Sequence, residues 1–202
     1  MEPVAQCTDF VKNFVRDKLN DVDAAEADAV AEHVANCVAS NNRWQLIGPF
    51  PGGQDFRGLD TVYEPEQAAT QQPEYRVGDR TLAWKQVDVR PGGYVDLRKE
   101  VSVSEPIVAY ASATFECPHE QEAVLRIGGD DGCRLWLNGE QIYQVRAVRG
   151  CREGTDQVKV KLKEGANHML FKIEQVAGDW GFSFDVIDEQ GWPIQLDRQA
   201  EM

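Results

Sequence analysis

The spacing of apolar positions changes once along the chain. From Thr8 to about Ser40 they recur every three or four residues. In TDFVKNFVRDKL, Phe10, Val11, Phe14, Val15 and Leu19 share one side of a helix that Thr8 or Asp9 caps. The polar NDVD turn follows, with Asp21 or Asp23 placed to cap the next helix. AAEADAVAEHVANCVAS then carries Ala27, Val30, Val34 and Val38 on a second stripe. Two helices joined so tightly form a hairpin, and a hairpin this small needs a staple or a neighbour to pack on.

From Trp44 onward the period is two. RWQLIGPF, TLAWKQVDV, YVDLRKEV, IVAYASATF, AVLRIG, CRLWLNG, EQIYQV, DQVKVKL, NHMLFKIEQV and WGFSFDVID all read as strands. In DQVKVKL, Val158, Val160 and Leu162 alternate with Lys159 and Lys161, so one face is buried and the other wet. Asn138-Gly139 between LWL and EQIY supplies the positive φ pair of a type I′ hairpin turn. Residues 51–80 form a long polar connection, of the length that carries function or moves. Short antiparallel strands with Gly and Pro turns and no interposed amphipathic helix predict a mainly β chain, a jelly-roll β-sandwich preceded by a small α-helical hairpin. The expected units are a hairpin over 1–41, a sandwich over 42–192 and a tail over 193–202.

The charge narrows the partners. The 202 residues carry a net charge of −13, from 34 acidic and 21 basic side chains. Such a surface repels phosphate backbones and anionic lipid, so neither nucleic acid nor membrane is an expected partner. No apolar run reaches the roughly 20 residues of a membrane span. MEPVAQCTDF lacks a basic stretch followed by an apolar one, which leads to an expected cytoplasmic location. There the five cysteines, Cys7, Cys37, Cys117, Cys133 and Cys151, stay reduced; an oxidising compartment leaves a Cys133–Cys151 pair open.

Two places carry candidate chemistry. His33 and Cys37 lie one helical turn apart, and a hairpin folding at residues 21–22 brings Cys7 level with them. Thiolates and imidazoles of this kind bind tetrahedral zinc. The spacing Cys7-x25-His33-x3-Cys37-x2-Ser40 resembles the zinc-binding anti-sigma factor domain. The resemblance implies zinc on Cys7, His33 and Cys37 and a hairpin that docks on a sigma factor. Ser40 stands where that family has its last cysteine. Three readings therefore stay open: a three-ligand zinc site completed by water or another side chain, a hairpin that kept its shape without the metal, and coincidence.

The second place is GDDGCRLWLNGEQIY. With WQLIGPF, LAWKQVD, VAYASATFECP and the stretch from VKVKLKEG to FDVID, it resembles galactose-binding-like domains attached to glycoside hydrolases and domains of planctomycete-type bacterial proteins. GDDGCRLWLNG is similar to the protective-antigen-type lectin domain. That resemblance implies calcium and sugar at Asp130 and Asp131. The residues themselves leave a second reading open, because two carboxylates are few for calcium and turn aspartates bond nearby amides. Trp180, in AGDWGF, either stacks on a sugar from a loop or packs inward; Trp84 and Trp136 read as core. Arg146, Arg149 and Arg152 in VRAVRGCREG either grip an acidic ligand or pair with the chain's own carboxylates.

No nucleophile elbow, P-loop or dinucleotide fingerprint is present, and His33, His119 and His168 are scattered. The expectation is a non-catalytic binding or interaction protein. Its sandwich recognises a carbohydrate-like ligand or a protein partner, and its hairpin is a docking element. An anti-sigma-factor-like cytosolic regulator and a structural or assembly subunit are the alternatives.

Overall fold

A computed structural model describes residues 25, 28–32, 43–67, 71–90, 93–101, 106–194 and 196. Of the expected hairpin, residues 25 and 28–32 are helical, with Ala31 buried. Cys7, His33, Cys37 and Ser40 lie outside the described residues, and so does the zinc site they would form.

The β region runs in chain order as β1 (Gln45–Pro51), a 3-10 turn (Gln54–Phe56), α1 (Arg57–Asp60), α2 (Glu64–Gln67), β2 (Glu74–Val77), β3 (Arg80–Ala83), β4 (Lys85–Gln86) and β5 (Tyr94–Asp96). It continues through α3 (Leu97–Glu100), β6 (Ile107–Cys117), β7 (Gln121–Asp130), β8 (Gly132–Leu137), β9 (Glu140–Val145), β10 (Asp156–Leu162), β11 (Gly165–Gln175) and β12 (Gly181–Ile187). A six-stranded sheet in the order β4-β1-β6-β11-β8-β9 faces a four-stranded sheet in the order β10-β7-β12-β5. The protein is thus mainly β, a sandwich of antiparallel sheets, with a small β2–β3 ribbon beside it.

Alternation builds the core. Ala109, Ala111, Leu135, Phe171 and Ile173 project inward from one sheet, and Leu125, Ile127, Phe182, Phe184 and Val186 from the other. The two sets interlock edge to face, with the Phe171 and Phe182 rings 5.0 Å apart and Trp44 meeting Phe182 at 5.2 Å. Asn138 and Gly139 take φ values of 52° and 85°, as the tight β8–β9 turn requires.

Three expectations shift. YVDLRKEV is extended only over β5, after which Leu97–Glu100 turns helical. Leu97 and Val101, four apart, both reach the core while Arg98 and Lys99 face water, and that spacing overrides the preceding alternation. Of the tail expected over 193–202, Ile194 and Leu196 join the main core, and Ile194 N–H donates to Val186 O at 3.0 Å; residues 195 and 197–202 lie outside the described residues. The polar connection after β1 folds as a strap, residues 52–67, across the outer face of the six-stranded sheet. Its anchors are two charged residues of β11, Lys172 and Glu174, both fully buried. Among the described residues no helix is long and apolar enough to cross a membrane.

Candidate functional site

The chain makes an open cleft of about 370 Å³ where β7 ends. Tyr94 of β5, Asp130 and Asp131, Arg149 to Cys151, and Ala177 with Asp179 line it, and Val148 stands on its rim, 66% exposed. Three loops meet there: the turn from β7 to β8, the connection after β9 and the connection after β11. The connection after β9 lies close over β7 because Gly128 has no side chain; a Cβ there would fall 2.3 Å from Arg152 O.

The adjacent aspartates do different work. The peptide joining them is cis, and both side chains are buried. Asp131 is a knot between loops. Its Oδ1 accepts from Arg149 N–H at 3.0 Å, and its Oδ2 accepts from Val176 N–H at 2.9 Å and Ala177 N–H at 3.1 Å. A carboxylate has about four acceptor positions, so Asp131 is largely committed to backbone. Asp130 is not. Its Oδ2 accepts a single long bond from Cys151 N–H at 3.3 Å, and among the described residues nothing donates to Oδ1. Burial, reinforced by the Asp131 and Asp179 charges against the Cys151 amide, raises the Asp130 carboxyl to about 6. Burial likewise pushes the Tyr94 hydroxyl up to about 12 and the Cys151 thiol up to about 11, so both stay neutral at pH 7.

Two of the three arginines that read as a grip on an acidic ligand, Arg146 and Arg149, are turned onto the protein itself. Arg149 donates through Nε to Gly129 O at 3.1 Å and through Nη2 to Tyr143 Oη at 3.1 Å and Asp156 Oδ2 at 2.5 Å. Burial works against its charge, but the bonds to Asp156 and Tyr143 outweigh that and hold it firmly protonated. Arg146 pairs with Asp60 of the strap, its Nη1 donating to Oδ2 at 2.9 Å. Arg152 is exposed, and its carbonyl accepts from Thr155 Oγ1 at 2.9 Å. Trp180 corrects the exposed-loop reading: its side chain is fully buried in the main core and offers no face to a sugar. Trp84 and Trp136 are half-buried and pack on the second apolar cluster, under the strap and the β2–β3 ribbon.

Among the described residues, no group of three or more His, Cys, Asp or Glu side chains is arranged to hold a metal ion. Asp130 and Asp179 supply two carboxylates and Asp131 little more, short of the six to eight oxygens that calcium takes. The arrangement offers instead one buried, under-bonded carboxylate, a second exposed one, a neutral phenol and a small apolar rim. Such a set accepts and donates hydrogen bonds to hydroxyl groups. Tyr94, Val148, Ala177 and Asp179 were not singled out by sequence; nothing in their local pattern separates them from ordinary turn and strand residues.

No family model matches the chain, and no curated protein is similar to it in sequence. Similar solved structures exist at low identity. The PA14 domain of the MpAFP antifreeze protein is 11% identical, with 77% of this chain and 86% of that chain covered and a TM-score of 0.49. A PA14 sugar-binding domain from an RTX adhesin is 13% identical, covering 78% of this chain and 99% of that one at a TM-score of 0.45. An anti-sigma factor domain-containing protein from Clostridium clariflavum is 15% identical over 48% of this chain and 34% of that chain, at a TM-score of 0.35. Against the β-glucosidase from Kluyveromyces marxianus, 12% identical at a TM-score of 0.43, this chain spans only 14% of the other's length.

Proposed function

We propose that the protein is a non-catalytic binding protein whose acidic cleft takes a neutral polyhydroxyl ligand of the carbohydrate class. The observation that carries this is Asp130. A buried carboxylate that opens on a cleft, has one long hydrogen bond and sits beside two further aspartates is unfavourable when ionised. Hydroxyl donors from a ligand would relieve it, and each such charge-assisted bond contributes about 1.5–3 kcal/mol. The same charge cluster disfavours an anionic ligand, since Arg149 is committed to Asp156. Tyr94 and Val148 supply the apolar contact that a sugar ring's carbon face needs. The sequence resemblance to lectin-type domains implies the same ligand class.

A neutral-glycan array, read with and without added calcium and followed by titration calorimetry, tests the reading. The expected result is a saccharide bound by wild type and weakened at least about tenfold by Asp130→Asn, the loss of one charge-assisted bond. Binding that appears only with calcium assigns the cleft a metal-bridged mode. Silence across the array under both conditions would sink the carbohydrate reading.

A further inference from the structure

The strap lies on the far side of the sandwich core from the four-stranded sheet, yet it touches two residues next to the cleft lining, Gly132 and Arg146. Glu174 holds it. This β11 side chain accepts three backbone donors from the strap: Gly53 N–H at 2.9 Å and Gly58 N–H at 2.9 Å on Oε1, and Leu59 N–H at 2.8 Å on Oε2. Lys172, two residues back on the same face, donates to Leu59 O at 3.2 Å, Thr61 O at 2.7 Å and Glu66 Oε1 at 2.6 Å.

The first contact is through Gly132, the residue after Asp131 and the cross-strand partner of Glu174. A Cβ on Gly132 would fall 2.5 Å from Phe56 Cδ1, so the Phe56 ring is seated directly on the turn. Asp55 and Phe56 hold left-handed φ values of 54° and 59°, which non-glycine residues keep only where the surroundings over-determine them. The second contact is Asp60 with Arg146, at the start of the connection that forms the Val148–Cys151 wall. The strap therefore braces both the aspartate turn and the opposite wall.

We propose that Glu174 is a positioning residue of the cleft: by fixing the strap it seats Phe56 on Gly132 and Asp60 on Arg146, and so sets the distance between the Asp130–Asp131 turn and the Arg149–Cys151 wall. The proposal rests on the cleft being the binding site, but its main readout needs no ligand. The amides of Arg149, Cys151, Val176 and Ala177 donate to the two aspartates, so their hydrogen exchange reports whether turn and wall are in register.

Glu174→Gln keeps the shape of the side chain but turns an amide NH2 toward strap donors. The expected result is exchange about tenfold faster at those four amides, with β7–β10 pairing unchanged. The glycan giving the strongest wild-type array signal should bind about tenfold more weakly. Leu162→Ala, a core change at the far end of β7, is the control and should not raise exchange selectively there. Phe56→Ala, which leaves the Glu174 bonds in place, should repeat the selective effect and serves if Glu174→Gln does not fold. Faster exchange confined to residues 53–66, or a uniform rise like that of the control, overturns the proposal. If wild type binds no glycan, the functional reading fails alone, and the exchange pattern still decides this one.

Discussion

At the residue scale, Asp130 couples the cleft to pH. Its folded value is raised from 3.8 to about 6, so the contribution to stability is present below about 3.8 and lost as pH rises through about 6. Asp130→Asn removes the ionisable group while keeping an acceptor for Cys151 N–H. The variant should melt higher than wild type at pH 7–8, by an amount on the order of 2 kcal/mol, and equal to it near pH 4. Paired thermal melts across that range check this; a difference that does not vary with pH contradicts the assignment. Trp180 gives a prediction of the opposite kind. Its ring fills the main core, so Trp180→Ala should cost about 3–5 kcal/mol, measured by denaturant unfolding. A stable Trp180→Ala protein that has merely lost glycan binding would return Trp180 to the ligand.

At the element scale, the strap is held by charges that are costly to separate. Lys172 is fully buried and Glu66 nearly so, and the Tyr110 hydroxyl also donates to Glu66. Burial draws the Lys172 ammonium below its ordinary value, against the opposing pull of Glu66. Lys172→Met alone strands a buried carboxylate and should destabilise by about 3–5 kcal/mol. Lys172→Met with Glu66→Leu removes both charges and should recover most of that loss, as a double-mutant cycle in urea would show. Purely additive losses would mean that the two charges do not sense each other. The β8–β9 turn is a local element by contrast. Gly139→Ala, at a φ of 85°, should cost about 1 kcal/mol and leave the strap and cleft unaffected.

At the scale of the whole molecule, the two sheets share one core, while the chemistry gathers at one end of it. Three loops distant in sequence are tied there by the Asp131 carboxylate, and the strap braces two of them again from behind. Asp131→Ala should therefore loosen more than one turn. It leaves three backbone donors without their acceptor, and proteolysis or hydrogen exchange should detect opening at residues 148–151 and 176–180 together. Opening at only one of them would show that the knot is not shared.

Much of this was legible in the residues. Alternation from Trp44 onward determined the strands, because a half-buried sheet sorts side chains with a period of two. Asn138-Gly139 determined its turn, because few residues accept positive φ at both positions. Asp130 and Asp131 stood out as an acidic pair. Their roles were not readable. The division of labour between Asp130 and Asp131, the commitment of Arg149 to Asp156, the burial of Trp180 and the folding of the strap onto Glu174 all depend on partners 7 to 121 residues away. Local preference acts through neighbours along the chain, and it determined the elements. Burial and hydrogen-bond partners come from segments that meet only in the folded state, so the tertiary structure alone decided which carboxylate remains available at the cleft.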